Sequence, residues 1–437
     1  MMGVKVEKPL SKNMELVAYH DLNGQPGFQM ALQVVDGRYY LYVTTYYHQG
    51  WQILDVTDMD HICCKHLDDP RGKSGTVHPK IQIADGIMIT ASGQRVRFLP
   101  MEGVDYDDYD AGIEIWDVKT DPMNPKLLGF WSNGGGVGID GVNTHRNFYA
   151  GGRYVYTTSS CPGFLNNIFR IIDIIDPAHP VEVGRWYLKE QWLDGMDHVD
   201  WDTDKIDPDA LCPYPGYKHY HLHMPQVKDG YAYLAYCGYG LVILDVKDPT
   251  RPKYVGGLKT DPPFSDFISC HTALPLTGPN ENYLILTQEM GGDGRQAQFA
   301  GVVDISDKSH PTLVSLFPPY SVPEDAPFRN YVEKGGRPGL HNFHQPQGQP
   351  HYEDRPDRQY LTCFNGGIRV YNMEDIYNIR EIAYYIPADP EKDLWPIPPM
   401  MNGGQVISRC EDVLVDDRGY IFMTDSNGGL SVLRCTI

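Results

Sequence analysis

The chain has 437 residues, 41% of them hydrophobic, and carries 37 Lys and Arg against 57 Asp and Glu, a formal net charge of −20. So much apolar material excludes a disordered chain, and the acidic balance argues against nucleic acid or an anionic membrane as partner, because phosphate binding needs clustered cations. Thirty Tyr, 44 Gly and 34 Pro suit short strands and tight turns rather than a helical bundle.

In chain order, the segment from Met1 to Leu16 lacks the apolar core of a signal peptide, and no stretch reaches the roughly 18 apolar residues of a membrane span. The expected location is the cytoplasm. The nine cysteines are odd in number and scattered, without a CxxC pair, which fits free thiols in a reducing compartment. The vicinal pair Cys63-Cys64 reads as part of a loop.

From there one phrase recurs: an apolar pair, Asp or Asn, an apolar residue, a polar turn and a second apolar run. It reads ILDVTDMDHI around Asp55, IWDVKTDPMNPKLLGFW around Asp117, and IIDIIDPAHPVEVGRW around Asp173. It returns as ILDVKDPTRPKYVGG at Asp245, VVDISDKSHPTLVSLF at Asp304 and VYNMEDIYNIREIAYY at Asn372, with a last LSVLRCTI anchored on Arg434. The anchors lie 62, 56, 72, 59, 68 and 62 residues apart, a period that marks a propeller or solenoid. Each copy has an upstream partner built on a Gly-Tyr-like turn, such as DGRYYLYVTT, GGRYVYTTSS, DGYAYLAYCG and DRGYIFMTDS. Alternating runs on both sides of Asp-Gly turns are antiparallel hairpins, and two hairpins make a four-stranded blade. The expectation is an all-β, single-domain, seven-bladed β-propeller over residues 1–437. Its blades fall near 21–65, 72–131, 140–188, 219–258, 267–317, 338–387 and 405–437, with residues 12–20 supplying the last strand and closing the ring.

The copies ILDVKDP and IIDIIDP resemble the LVIVD repeat, which is similar in architecture to the selenium-binding protein and methanethiol oxidase propellers. That resemblance implies the fold over the whole length. It implies no catalytic residue, because fold and chemistry are separable.

The functional signal is the register of the histidines. Counting back from each turn, His145, His223 and His271 lie seven residues before Gly152, Gly230 and Gly278, and His78 lies eight before Gly86. Blade six offers His341 and His344, blade seven Glu411 and Asp412, and blade one Gln29 and Met30. The innermost strands of a propeller line its channel, so equivalent positions converge on the axis. Imidazoles gathered there suit iron, copper, zinc or nickel. The expected ligands are His145, His223, His271 and His344, with His78 in reserve, and iron or copper is favoured over zinc or manganese. His221 and His341 are expected to orient ligands or pass protons. Structural histidines, hydrogen-bonded between strands, and metal-free acid/base use are the competing expectations.

Long loops entering the blades carry Trp192, Trp201, Pro213, Pro215, Trp395, Pro396 and Pro398, which suggests an apolar cap over the mouth and a small, partly hydrophobic organic substrate. Glu289 is the expected general base, and Arg95 or Arg146 could hold an anionic group. The acidic run Asp105 to Asp110 lacks the Gly and final Glu of a calcium loop, and GGGVGIDG lacks the strand-to-helix context of a nucleotide fingerprint. The expected function is metal-dependent oxidation or oxygenation, by analogy with the all-histidine sites of carotenoid-cleavage oxygenases. The alternatives are a lyase, hydratase or isomerase using the metal as a Lewis acid, as in propeller lyases of pectate fragments, and a non-catalytic propeller that binds a protein partner.

Overall fold

The computed structural model describes residues 3–45, 48–95, 102–138, 141–193, 220–264, 268–289, 299–392, 394 and 406–437. Among the described residues the chain forms seven antiparallel sheets, six of four strands and one of five, arranged as a seven-bladed β-propeller. The first five sheets span residues 30–67, 76–132, 144–186, 221–259 and 268–316, and each runs outward in chain order. The last two use the N-terminus. Met14–His20 pairs with Gly429–Cys435 and completes blade seven, which closes the ring. Leu10–Lys12 adds an outer strand to blade six, against Arg380–Ile386. The N-terminal segment therefore clasps two neighbouring blades.

The repeated Asp is a turn device. In six blades the anchor side chain accepts the backbone N–H two residues on. Asp55 takes Thr57, Asp117 takes Lys119, and Asp173 takes Ile175. Asp245, Asp304 and Asn372 take Lys247, Ser306 and Glu374. A second such turn follows at Asp58, Asp121, Asp176, Asp248, Asp307 and Asp375, bonded to Asp60, Met123, Ala178, Thr250, Ser309 and Tyr377. Two consecutive Asx turns fix the path from the third strand to the fourth without a long loop. The inner hairpins turn on Asp36-Gly37, Asp85-Gly86 and Asp229-Gly230, with positive φ at both residues of each pair, the type I′ geometry that matches strand twist.

The apolar core lies between blades. One cluster joins Val370 and Tyr385 of blade six to Val415, Met423 and Leu433 of blade seven, with Met14 from the closing strand. Another packs Trp51 of blade one edge-to-face with Trp116 of blade two, 5.2 Å between ring centres. Cys63 and Cys64, expected in a loop, begin the outer strand Cys63–Leu67 of blade one, and Cys64 faces the side chain of Gln52. Among the described residues no helix is long and apolar enough to cross a membrane.

The closing strand distinguishes buried from exposed leucines. Leu433 is fully buried and Leu16, on its partner strand, is 46% exposed. Leu433→Ala is expected to cost about 2–5 kcal/mol in urea unfolding, while Leu16→Ala stays within about 0.5 kcal/mol.

Candidate functional site

The innermost strands do not run regularly. Pairing shifts by one residue between Thr144 and Arg146, between Leu222 and Met224, and between Cys410 and Asp412, which leaves His145, His223 and Glu411 as the extra residues. In blade five the register breaks between Ile268 and Thr272, around His271. Blade six has no regular inner strand. There Thr362 accepts from His341 N–H and donates to the carbonyl of Asn342, two residues against one. A bulge frees its extra residue from the pleat and re-aims the side chain.

The result is an arc of imidazoles from consecutive blades. His145 Nε2 lies 3.0 Å from His223 Nε2. The His223 and His271 rings are 4.1 Å apart, and those of His271 and His341 are 5.1 Å apart. Backbone carbonyls settle two tautomers. His223 Nδ1 donates to the carbonyl of His271 at 3.0 Å, and His341 Nδ1 donates to that of Glu411 at 2.5 Å. A carbonyl only accepts, so in each neutral ring the lone pair sits on Nε2. His271 Nδ1 is within 2.7 Å of the Thr272 hydroxyl, while its buried Nε2 makes no hydrogen bond and faces Glu289 Oε2 at 3.3 Å. His223, His271 and Glu289 each offer a ligand atom, all within 4.8 Å of one another. The other oxygen of Glu289 is held by the Arg337 guanidinium, which lies over the Phe364 ring.

Burial pushes the pKa of His145, His223, His271 and His341 well below the ordinary range. Positive charge from Lys80 and Arg146 adds to the effect. Arg146 is buried, donates through Nη1 to Asn342 Oδ1 at 2.9 Å, and leaves Nε and Nη2 without hydrogen-bond partners. Burial lowers it to about 10, with Asp412 and Glu289 opposing. Burial and Arg146 bring Lys80 down to about 7, and burial raises Glu411 to about 7 and Asp412 to about 6. Next to these groups a small cavity of about 20 Å³ is lined by Gln29, Gln82, Gln345 and Asp412 from the innermost segments of blades one, two, six and seven.

Of the expected ligands, His145, His223 and His271 come together and two do not. His344 accepts the N–H of Val415 on Nδ1 and donates from Nε2 to the carbonyl of Glu353, so neither nitrogen has a lone pair left for a metal. It is a structural histidine, lowered to about 4 by burial. His78 faces the seam between blades one and two, where Trp51 packs on its ring at 4.6 Å and Asp69 and Glu114 lie beside it. His341, expected to support the ligands, extends the arc itself and stacks on Phe364 at 4.4 Å. His221 is buried with its ring 6.5 Å from that of His223. Arg95 borders a cavity with Gln25, His48 and His66, beside the His78 group rather than the arc. Glu289, expected as a base, stands among the ligand atoms. It ends the second strand of blade five, directly across from Ile268, and that pairing is the signal a register count on innermost strands alone leaves out. Trp192 is half-exposed and near Tyr187, 6.5 Å between ring centres. Trp201, Pro213, Pro215, Trp395, Pro396 and Pro398 lie outside the described residues.

Sequence comparison finds the LVIVD repeat at residues 152–187, 226–260 and 301–317, in blades three, four and five. No curated protein sequence matches the chain. Among solved structures, the periplasmic gluconolactonase PpgL of Pseudomonas aeruginosa is similar with a TM-score of 0.52 at 11% identity, over 91% of this chain and 98% of that one. The WD40 β-propeller domain of Doa1 gives 0.51 at 9% identity, over 96% of each chain. At such identities the likeness extends to the fold and no further. The chain carries LVIVD repeats and is built as a seven-bladed β-propeller.

Proposed function

We propose that this propeller is a metal-dependent oxidase or oxygenase that holds a transition metal, iron in the first place, at His223, His271 and Glu289, with His145 beside them. The observation that carries the reading is the meeting of two buried imidazoles and one carboxylate within 4.8 Å. Two histidines and one carboxylate with open positions form the donor set of non-haem iron(II) oxygenases. This shifts the expected all-histidine site toward a mixed one, and a hard carboxylate ligand favours iron over copper. His145 Nε2 and His223 Nε2 form a hydrogen bond at 3.0 Å, and a metal bound at His223 would replace the His145 proton as the partner of that lone pair.

The chain's own groups then have defined tasks. The carbonyl of His271 orients His223, and Arg337 orients Glu289, as outer partners of ligands do. Arg146, with its unused Nε and Nη2, is the group to receive an anionic part of a small organic substrate, because that edge of a guanidinium binds carboxylates in pairs of hydrogen bonds. The metal supplies the activation of dioxygen. A second reading is favoured by the 3.3 Å approach of Glu289 to His271. With Glu289 off the metal, the carboxylate is a general base for lyase chemistry on a zinc or manganese Lewis acid.

Elemental analysis of the purified chain is expected to find iron. His223→Ala and His271→Ala should each cut it at least tenfold, and His344→Gln should leave it unchanged. Equal metal in all four proteins would sink the reading. Oxygen consumption with candidate substrates separates the oxidase from the lyase, and a chain holding only zinc or manganese and consuming no oxygen favours the lyase.

His344 also gives a pH signature. Its folded pKa, about 4, lies below the ordinary 6.5, so the folded chain binds fewer protons there than the unfolded chain as pH falls from 6.5 to 4. Its contribution to stability is full above pH 6.5 and is lost through that window. Imidazole NMR is expected to show His344 neutral at pH 5. His61, exposed and raised by its bond to Asp58, should already be protonated there.

A further inference from the structure

A second group of ligand-type side chains lies in the seam between blades one and two, and the arc of histidines does not use it. Asp69 comes from the connection between the two blades, His78 from the start of blade two, and Glu114 from its third strand, Gly112–Asp117. All three side chains have no exposed surface. Each carboxylate has one oxygen engaged. Asp69 Oδ1 accepts from the N–H of Arg71 at 2.8 Å, and Glu114 Oε2 accepts from Trp116 Nε1 and the Thr90 hydroxyl at 3.2 and 3.1 Å. The remaining oxygens, Asp69 Oδ2 and Glu114 Oε1, make no hydrogen bond, and neither ring nitrogen of His78 makes one.

These orphaned atoms face one another. His78 Nε2 is 3.6 Å from both Asp69 Oδ2 and Glu114 Oε1, and the three ligand atoms lie within 4.8 Å. A separation of 3.6 Å is too long for a hydrogen bond. It is the distance between two donors each about 2.1 Å from a shared ion at an angle of about 118°, between tetrahedral and trigonal. Charge leads to the same conclusion. Two carboxylates shut away from water need a counter-charge, and a dication with a neutral imidazole makes the group neutral. Of the guanidiniums nearby, Arg71 is taken by Asp110 at 2.7 Å and by the face of Phe130, while Arg95 lies beside His78 and makes no ion pair with Asp69 or Glu114 within 4.0 Å.

We infer that Asp69, His78 and Glu114 form a second, structural site for a divalent metal of the zinc class, which ties the connection between blades one and two to blade two under the Trp51 ring. This site is separate from the axial one and does not depend on it. The test uses the full chain, stripped with chelator and reloaded with zinc alone, with bound metal counted and the melting temperature recorded. Glu114→Gln, nearly isosteric, is expected to bind one equivalent fewer than the unaltered chain and to lose the zinc-dependent part of the melting temperature. A chain carrying both His223→Ala and His271→Ala should keep one equivalent, and adding Glu114→Gln to it should remove that one. If Glu114→Gln does not fold by circular dichroism, Asp69→Asn takes its place. Unchanged zinc in the carboxylate variant, or none in the axial double variant, would overturn the inference and leave His78 as an imidazolium held between two carboxylates.

Discussion

One extra residue at the head of an innermost strand is the constraint on which the candidate site depends. In a regular strand His145 and His223 would alternate with their neighbours between two faces of a blade, and each would be buried against the adjacent sheet. The bulges at Thr144–Arg146 and Leu222–Met224 take them out of that alternation. The same irregularity frees the backbone groups that hold the rings, since the His271 carbonyl, inside the broken register of blade five, accepts from His223. Blade five thus fixes the tautomer of the ring from blade four, blade seven that of the ring from blade six, and no blade could make the site alone.

Such accuracy requires blades that are stiff at their outer ends. The paired Asx turns after the third strand provide it, because each carboxylate closes its turn within two residues. The recurring sequence phrase is therefore mostly the chemistry of the outer turn, while the axis varies from blade to blade: imidazoles in blades three to six, carboxylates in seven, and Gln29 with Met30 in one. Separating a conserved outer turn from a free inner head is what lets one repeat carry an asymmetric site.

The fold was legible because period and turn chemistry are local. The site was legible only where the distance from turn to strand head is constant. Residues seven positions before the turn glycine reach the axis in blades three, four and five. His78 lies eight before Gly86, in a blade whose inner strand Ile81–Ala84 pairs without a bulge, and one step of offset sends a side chain to the opposite face. Lys80 shows the other parity, buried where the charges of Arg146 and Asp412 reach it. His344 was ambiguous because blade six has no regular inner strand from which to count. Its ring is consumed by two backbone groups that only the folded chain brings near. Glu289 required the pairing across a hairpin rather than a position along one strand.

The overall charge of −20 suggests a field that would draw protons onto imidazoles, yet the axis is arranged against it. Lys80 and Arg146 lie among the histidines, and both act with burial to keep the rings neutral. A neutral ring with its lone pair on Nε2 is the form that binds metal, so on the proposed reading the buried cations would favour loading even though they repel a cation at long range. The carboxylates divide the remaining work. Glu289 is held by Arg337, while burial drives Glu411 and Asp412 toward the protonated form near neutrality. On the proposed reading a dication would meet the Arg337-held carboxylate of Glu289 and a set of neutral imidazoles. Behind them lie the buried Lys80, brought down to about 7, and Arg146, which on that reading would be the group to accept an anionic partner.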